Sequence, residues 1–263
     1  MGRGWFEPLN TPITDWQGRR VWIVGASSGI GAALAAELDA RGARLALSAR
    51  SAERLREVAG GLRDALVLPF DVTDAHAFTP AMTQLLEAWG GVDLVILNAG
   101  TYLPLRAWEL TPDNARHTVA TNLLGVMNGV AAALPQLLLQ GQGALAIVGS
   151  VAGYRGLPKA LAYGPSKAAL INFAETLYLD LAPKGVSVFL INPGFVATPL
   201  TAGNDFKMPA LISAPDAAAR IVRGFARGVF EIHFPRRFTG FLKLLSMLPD
   251  RLYFSLIARS TGL

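Results

Sequence analysis

Cysteine is absent from the 263 residues of this chain, and histidine is nearly so. Without a thiol, the chain has no disulfide framework, no cysteine-ligated metal and no cysteine nucleophile. The three histidines, His76, His117 and His233, stand far apart and lack the short spacing that is typical of metal ligands. We therefore expect no metal site.

Charged residues are also scarce, at 16% of the chain against 52% hydrophobic residues, which excludes a disordered protein. No stretch reaches the roughly 18 uninterrupted apolar residues expected of a membrane-spanning helix. The N-terminal segment lacks the apolar core of a cleaved secretory signal. A cytoplasmic protein is therefore predicted, with peripheral attachment to the inner face of the membrane left open.

The charges that are present favour one sign, with a net charge of +5 and a pI near 9.8. This balance favours an anionic partner, such as a phosphorylated cofactor, an acidic membrane surface or nucleic acid. The basic residues are dispersed and are not interleaved with exposed aromatic residues. Nucleic acid is therefore not expected.

Apolar runs alternate with helical patterns along most of the chain. The predicted strands cover 21–24, 44–48, 65–70, 92–97, 144–148, 186–191 and 229–234. The predicted helices cover 29–41, 52–60, 74–89, 112–139, 161–182 and 215–228. Strands that are apolar throughout, each followed by a helix, indicate a parallel sheet buried on both faces. The sequence predicts an α/β fold, a Rossmann-type doubly wound parallel sheet of about seven strands with helices on both faces, in a single domain over 1–263.

The most informative pair of residues is Tyr163 with Lys167, four positions apart in a predicted helix and therefore on one face. A phenol in water keeps its proton until about pH 10, and a nearby ammonium group favours the phenolate. Such a pair suits acid–base chemistry on an alcohol or carbonyl. By itself this spacing is common on solvated helix faces, so only the surrounding sequence can show whether the pair is catalytic. Ser150, thirteen residues before Tyr163, belongs to that context.

A glycine-rich loop follows the first predicted strand and opens the first predicted helix, with the sequence Gly25-Ala-Ser-Ser-Gly29-Ile-Gly31. Glycines there permit a tight turn and close approach of a pyrophosphate, and the helix N-terminus offers free N–H donors. This position in the first β-α unit predicts dinucleotide binding.

The residues after the second predicted strand indicate which dinucleotide is bound. An acidic residue there would accept hydrogen bonds from the 2′-hydroxyl of NAD, but the sequence is Ser48-Ala-Arg50-Ser51. Arg50 matches a 2′-phosphate in charge and geometry, and Ser51 could add a hydroxyl. NADP(H) is predicted and NAD is less favoured, the alternative being that Arg50 is a solvated surface residue.

Together these residues resemble the short-chain dehydrogenase/reductase family over about residues 19–200. The resemblance rests on the glycine loop, Asp71 and Val72, Asn98-Ala99-Gly100, Asn122, Ser150, Tyr163 with Lys167, and Pro193-Gly194 with Thr198. Val24 stands where the family usually has a threonine that ties the loop to the turn after the fourth strand. The resemblance implies the family's fold and an NAD(P)-dependent oxidoreductase activity on CH–OH or C=O groups.

The resemblance also implies a catalytic set of Asn122, Ser150, Tyr163 and Lys167. Tyr163 would exchange a proton with the substrate, and Ser150 would hydrogen-bond the substrate oxygen. Lys167 would lower the pKa of the phenol and bind the nicotinamide ribose, and Asn122 would hold a water that links Lys167 to solvent. Tyr154, a rival phenol without a lysine four residues later, is predicted to be a wall of the substrate pocket.

For the cofactor, the resemblance implies that Asp71 and Val72 contact the adenine and that Thr198 binds the carboxamide. The full set of cofactor contacts would be Gly25, Ser27, Ser28, Gly29, Ile30, Gly31, Arg50, Ser51, Asp71, Val72, Asn98, Ala99, Gly100, Tyr163, Lys167, Pro193, Gly194, Val196 and Thr198.

Two segments remain after these motifs. Residues 199–213, which include Gly203 and several apolar side chains, occupy the place of the family's mobile substrate loop and suit a lipophilic ketone, aldehyde or secondary alcohol. Residues 236–263 form a basic, apolar tail that reads as two short helices broken at Pro249-Asp250. Two interpretations of the tail stay open: an interfacial helix on an anionic membrane, or a subunit interface or cap on the pocket.

The leading hypothesis is an NADP(H)-dependent oxidoreductase acting on a hydrophobic carbonyl/alcohol pair, as a homodimer or homotetramer. The alternatives are a non-catalytic NADP(H)-binding sensor and a membrane-attached scaffold. The intact catalytic set argues against both alternatives.

Overall fold

The computed structural model of the protein describes residues 7–262. Residues 1–6, which belong to the segment where no secretory signal is expected, and Leu263, the last residue of the tail, lie outside the described residues. The strands are β1 (Arg20–Val24), β2 (Arg44–Ser48), β3 (Ala65–Val67), β4 (Leu94–Leu97), β5 (Gly143–Val148), β6 (Val186–Pro193), β7 (Val196–Ala197), β8 (Ile212–Ser213) and β9 (Glu231–Phe234). The α-helices are α1 (Gly29–Asp39), α2 (Ala52–Gly60), α3 (Phe78–Trp89), α4 (Pro112–Val119), α5 (Gly125–Gln140), α6 (Tyr163–Leu181), α7 (Ala214–Arg227), α8 (Arg236–Ser246) and α9 (Asp250–Thr261).

Seven of these strands form one parallel sheet in the order β3-β2-β1-β4-β5-β6-β9. The chain runs outward in one direction from β1 to β3 and in the other from β4 to β9, so the strand order reverses between β1 and β4. In such sheets ligands bind outside the carboxyl ends of the strands at this reversal. β7 and β8 pair separately, with Val196 opposite Ile212. The predicted doubly wound α/β fold is confirmed.

The core lies on both faces of the sheet because successive side chains of a strand point to opposite sides. Val21 and Ile23 of β1 pack with α1, α2 and α7, whereas Trp22 and Val24 pack with α3, α5 and α6. All four side chains are buried. Burial on both faces is why the strands are apolar throughout.

Some predicted elements differ from those observed, most clearly the third strand and the long helix. The third strand ends at Val67, not at residue 70, although Leu68 and Phe70 still donate to the carbonyls of Leu47 and Ala49. The long helix over 112–139 is interrupted by a π-helical turn, Ala120–Leu124, between α4 and α5. Such turns are rare and occur mostly at functional sites.

Within residues 7–262, one helical segment, Pro112–Gln140, is long and apolar enough to cross a membrane by length and composition alone. Its α5 part packs against the sheet so closely that a Cβ at Gly129 would lie 2.5 Å from the side chain of Leu97. The core helix of a soluble protein passes the same test, so this segment is weak evidence for a span.

Residues 10–16, before β1, pack against the amino-terminal part of β6, a contact that the sequence did not indicate. Asn10 donates from Nδ2 to the carbonyl of Val188 at 2.7 Å and accepts from its N–H at 2.9 Å. Ile13 and Trp16 are buried against the α1 and α7 face. These contacts attach the segment to β6, whose other end carries part of the site.

Candidate active site

A cavity of about 460 Å³ opens at the carboxyl ends of the central strands. It brings together residues predicted for the cofactor and for catalysis: Gly25, Ser27, Ser28, Gly29, Ile30, Arg50, Ser51, Asp71, Val72, Asn98, Ala99, Gly100, Ser150, Tyr163, Lys167, Pro193, Gly194, Val196 and Thr198. Two predicted residues, Gly31 and Asn122, stand behind the lining. A second cavity of about 470 Å³ lies at the amino ends of the strands, and none of the predicted residues lines it.

The glycine loop fits tightly against the turn after β4. Gly25 has a φ of +94°, and a Cβ on it would lie 2.4 Å from the backbone nitrogen of Ala99. A Cβ on Gly31 would lie 2.1 Å from the carbonyl oxygen of Gly25. Side chains at these two positions would therefore force the loop away from β4.

Asn98 ties this loop to β4 by a side-chain hydrogen bond. Its Nδ2 donates to the carbonyl of Gly25 at 2.7 Å, and its backbone N–H donates to the carbonyl of Val24 at 2.8 Å. Val24 itself is buried in the core. With Val24 in place of the family's threonine, Asn98 provides the hydrogen bonds between the glycine loop and the turn after β4.

The loop leads into the N-terminus of α1, which points at the cavity. Ser28 is the N-cap residue, and its side chain makes no capping hydrogen bond. The first turn of α1 contains no acidic residue. Its free N–H groups and the positive end of the helix dipole are suited to a phosphate.

Two arginines and a serine form the edge of the cavity beyond β2. Arg50 and Arg54 are both exposed and line the cavity. Ser51 caps α2 by accepting a hydrogen bond from the N–H of Arg54 at 3.2 Å. Sequence analysis missed Arg54, although its place one turn after Arg50 on a predicted helix start could have indicated it.

Asp71 and Val72 lie beside Phe70 on the same side of the cavity. The carboxylate of Asp71 accepts from the N–H and the hydroxyl of Thr73, both at 2.9 Å. Val72 is held from behind by Asn128, which donates to its carbonyl at 3.2 Å. This corner therefore has a fixed apolar and carboxylate surface.

Tyr163 and Ser150 face each other at the opposite side of the cavity. Tyr163 opens α6, and Ser150 follows β5 as the N-cap of a short 3₁₀ turn, accepting from the N–H of Ala152 at 3.1 Å. The hydroxyl of Ser150 lies near the phenol of Tyr163 and lowers the pKa of that phenol in part. The two hydroxyls therefore share one point of the cavity wall.

Lys167 lies one turn further along α6, with its Nζ 5.7 Å from the ring centre of Tyr163. It is buried, and its Nζ donates to the carbonyl of Val148 at 2.8 Å. Burial lowers the pKa of Lys167 to about 8.

Burial raises the pKa of Tyr163 to about 12, while the hydrogen bond with Ser150 lowers it in part and Tyr102 raises it further. The expectation that Lys167 lowers the pKa of the phenol is not met by this arrangement. The reason is that burial dominates both groups and that Lys167 directs its ammonium to Val148.

Asn122 lies in the π-helical turn and is fully buried. Its side chain clamps the backbone of Thr101, accepting from the N–H at 2.7 Å and donating to the carbonyl at 2.9 Å, and it also donates to Ser166 at 3.2 Å. A Cβ on Gly100 would touch both the Asn122 side chain, at 3.4 Å, and the ammonium of Lys167, at 3.7 Å. Asn122 thus fixes the strand-four turn beside Lys167.

The short chain dehydrogenase family model matches residues 19–208 of this sequence. The chain belongs to this family. An uncharacterised oxidoreductase of Myxococcus xanthus is 37% identical over 239 residues, which are 89% of this chain and 94% of that protein. An uncharacterised oxidoreductase of Staphylococcus epidermidis is 33% identical over 201 residues, 76% of this chain and 87% of that protein.

Solved structures of short-chain dehydrogenases are also similar. One from Burkholderia phymatum in complex with NAD has a TM-score of 0.82 at 25% identity and covers 88% of this chain and 94% of its own. An alcohol dehydrogenase of Thermococcus sibiricus complexed with 5-hydroxy-NADP has a TM-score of 0.75 at 28% identity and covers 82% of this chain and 96% of its own. One from Burkholderia cenocepacia in complex with NADP has a TM-score of 0.75 at 29% identity, covering 84% and 97%. This short-chain dehydrogenase is therefore an oxidoreductase that acts with a nicotinamide cofactor.

The cavity of this dehydrogenase fits such a dinucleotide. The glycine loop packs against the turn after β4, and the uncapped start of α1 opens onto the cavity, where its N–H groups are donors for a pyrophosphate. Arg50 and Arg54 stand at one end, and Tyr163 stands at the other.

Two further tyrosines of the dehydrogenase lie near this end. The ring of Tyr102 packs edge-on against that of Tyr163 with the centres 5.0 Å apart, a contact that sequence analysis missed. Tyr154, predicted to be a wall of the substrate pocket, does not line the cavity. Its hydroxyl donates instead to Glu231 of β9 at 2.5 Å, because that half-buried carboxylate is the acceptor within reach.

The 199–213 segment and α8 lie beside the cavity. Leu200 lines the cavity. Phe195 stacks on Phe206 of the segment at 5.7 Å and on Phe238 of α8 at 5.8 Å between ring centres. The ring of Phe238 also approaches Gly194, where a Cβ would lie 3.2 Å from it. The tail thus contributes to the wall beside the cavity.

Proposed function

We propose that the protein is an NADP(H)-dependent oxidoreductase that transfers a hydride between the nicotinamide and a hydrophobic ketone, aldehyde or secondary alcohol. Tyr163 is the general acid and base. The observation that carries the proposal is that the hydroxyls of Tyr163 and Ser150 share one wall of a cavity whose other end is the glycine loop and its helix N-terminus.

The roles of the side chains follow from their positions. A bound nicotinamide supplies or accepts the hydride. In reduction, Tyr163 donates its proton to the oxygen of the substrate as the carbon accepts the hydride, and in oxidation the proton moves the other way. Ser150 donates a hydrogen bond to the same oxygen and stabilises the charge that develops there. Burial raises the pKa of the phenol, so Tyr163 is protonated near neutral pH and the proton to be donated in reduction is in place.

Lys167 and Asn122 support the proton exchange in this proposal. Lys167 holds a positive charge one helical turn from the phenol and binds the nicotinamide ribose. Its lowered pKa means that it gives up a proton readily, so it is suited to pass one toward Tyr163. Asn122 keeps the turn at Gly100 beside the ammonium group and holds the water of the relay.

NADP(H) is proposed over NAD because of the cavity edge beyond β2. Two exposed guanidinium groups, those of Arg50 and Arg54, stand there with Ser51, and none of the lining residues that directly follow β2 is acidic. A 2′-phosphate carries two negative charges at most and accepts paired hydrogen bonds from a guanidinium group. NADP-bound relatives among the similar structures agree with this choice, although an NAD-bound one is also similar.

A hydrophobic substrate is proposed from the apolar side chains at and beside the cavity. Leu200 lines the cavity, and the rings of Phe206, Phe195 and Phe238 pack in series from the 199–213 segment to α8. Such a surface binds an alkyl or aryl ketone and leaves the hydroxyl groups of a sugar without partners.

The oligomer is proposed to be a homodimer or homotetramer. Helices α5 and α6 expose large leucines, among them Leu139, which is 82% exposed, and Leu179, which is 72% exposed. Apolar side chains exposed on helix faces are typical of subunit contacts.

The decisive experiment replaces Tyr163 with phenylalanine. The variant is expected to bind NADPH as the wild type does, by fluorescence titration, and to lose turnover of lipophilic ketones and aldehydes by at least a hundredfold. Ser150→Ala is the companion variant, with a smaller loss that falls on kcat. Near-normal turnover in Tyr163→Phe would overturn the assignment. NADPH binding by the wild type without turnover of any panel member would favour a sensor.

A further inference from the structure

The two helices of the tail present a band of large apolar side chains to the outside. The exposed ones on α8, at its C-cap Met247 and on α9 are Phe241 (59% exposed), Leu244 (61%), Met247 (73%), Leu252 (56%), Phe254 (61%) and Leu256 (45%). The opposite side of α8 is turned inward, with Thr239 and Leu245 buried. Of the residues in α9, only Tyr253 is buried. The apolar residues are therefore a surface of the folded tail and not its core.

This surface is held in place by specific contacts. Arg155 donates to the carbonyls of Ser246 at 3.0 Å and Leu248 at 2.6 Å, and it pairs with Asp250 at the start of α9. Its guanidinium group also lies 4.0 Å from the ring centre of Tyr253. One partly buried arginine thus clamps the end of α8 to the start of α9.

A second anchor attaches α8 to the sheet. Lys243 forms an ion pair with Glu231 of β9, which also accepts from Tyr154 at 2.5 Å and from Asn192 at 2.8 Å. Burial raises the pKa of Glu231, but its hydrogen bonds with Lys243, Tyr154 and Asn192 outweigh this and hold the pKa below its ordinary value. The carboxylate is therefore charged at neutral pH and stays paired with Lys243.

The remaining charges around the band are positive. Over residues 236–262 the sequence contains five basic residues and one acidic residue, Asp250. Asp250 is paired with Arg155, and Lys243 with Glu231. The other four are exposed and form no ion pair with any residue from 7 to 262: Arg236, Arg237, Arg251 and Arg259.

We propose that α8 and α9 form a docking surface for an anionic lipid bilayer. The apolar band would enter the headgroup region, and the four free arginines would bind lipid phosphates beside it, as in an interfacial amphipathic helix. Both helices are already held on the protein by the contacts of Arg155, Tyr253 and Lys243, so little order has to be created on binding, which favours association.

A second copy of the chain fits this surface less well. In a two-fold contact the same patch meets itself, so the free arginines of one subunit would face those of the other. Like charges brought together in a buried contact repel strongly. An anionic bilayer has the opposite charge and an apolar interior, and so matches both properties of the surface.

Docking through this surface would place the bilayer beside the substrate side of the cavity. The inner side of α8 carries Phe238, which contacts Gly194 at the cavity and stacks on Phe195. The outer side of the same helix carries Phe241 and Leu244. One helix therefore separates the lipid surface from the catalytic end, and a substrate dissolved in lipid would have a short path.

The test is co-sedimentation of the full-length protein with vesicles of phosphatidylglycerol and phosphatidylcholine in equal parts, compared with pure phosphatidylcholine. The wild type should bind the anionic vesicles, with binding weakened by salt. Arg236→Gln with Arg237→Gln should lower the partition coefficient by a factor on the order of 20, and Phe241→Ser with Leu244→Ser should abolish binding.

Matched controls lie elsewhere on the surface. Arg56→Gln with Arg223→Gln removes the same charge, and Trp108→Ser with Leu110→Ser removes large exposed apolar side chains outside the tail. All variants change exposed side chains, and unchanged melting temperatures check that they are folded. Equal losses in tail and control variants would overturn the proposal. Failure of the wild type to bind anionic vesicles would also overturn it. If, in addition, Phe241→Ser with Leu244→Ser dissociated an oligomer, the surface would be a subunit contact instead. Vesicle binding is measured without turnover, so its outcome is independent of the catalytic assignment.

Discussion

Replacing Arg50 with alanine should weaken the binding of NADPH and leave that of NADH unchanged. Arg50 lies at the cavity edge beyond β2, where a 2′-phosphate would stand and a 2′-hydroxyl would need no cation. The change in preference, and not the loss of affinity alone, is therefore the measured quantity.

The size of the effect follows from the exposure of the side chain. A hydrogen bond to a charged group contributes about 1.5–3 kcal/mol, and the exposed position of Arg50 favours the lower end because water screens the charge. About 1.4 kcal/mol corresponds to a tenfold change in the dissociation constant. We expect roughly tenfold weaker NADPH binding in Arg50→Ala, a similar loss in Arg54→Ala, and about a hundredfold loss in the double variant if the two act independently.

The assay is a titration of each variant with NADPH and NADH, followed by kcat/KM with each cofactor. Arg56→Ala is the matched control, because Arg56 is exposed on α2, the helix that carries Arg54, and does not line the cavity. Raising the salt concentration should reduce the NADPH preference of the wild type and have little effect on the double variant. Equal losses for NADPH and NADH, or a wild type that prefers NADH, would refute the argument.

Three other outcomes test the fold and the site. Gly31→Ala should abolish cofactor binding, because its Cβ would lie 2.1 Å from the carbonyl oxygen of Gly25. Gly60→Ala, which has open space around its Cβ, is the control and should bind the cofactor normally. Both variants are titrated with cofactor, and normal binding by Gly31→Ala would contradict the tight loop. Burial lowers the pKa of Lys167 to about 8 from 10.5, so between these values the unfolded chain binds more protons and unfolding free energy should rise with pH. Relative to Lys167→Met, the wild type should gain up to about 1.4 kcal/mol per pH unit there, and parallel stability curves would exclude a buried lysine of low pKa. Asn10→Ala leaves two backbone groups of β6 unpaired and should cost on the order of 3 kcal/mol, lowering the melting temperature by several degrees in circular dichroism; an unchanged value would show that the N-terminal segment is not held there.

Much of the fold was predictable because its signals are local. Continuous apolar strands and helical periods depend only on near neighbours, and they located each strand of the main sheet. One difference is a local change that periodicity does not register, the wider π-helical turn at Ala120–Leu124.

The site was predictable as a set of residues but not as an arrangement. The glycine loop and the Tyr163/Lys167 spacing placed the two ends of the cavity, because a strand–helix turn and an i,i+4 pair have fixed local geometry. Arg54 and Tyr102 were missed, and Tyr154 was placed in the wrong surroundings, because each depends on contacts between distant segments.

The sequence by itself determined the order of strands and helices, the glycine-rich loop after the first strand, and the phenol–lysine pair. Only the tertiary structure decided that burial raises the pKa of Tyr163, that Lys167 points to Val148, and that α8 packs Phe238 against Phe195 while it carries part of an exposed apolar band. The physical reason is that chain geometry and periodicity act over a few residues. Desolvation, charge pairing and helix docking depend instead on which distant segments the fold brings together.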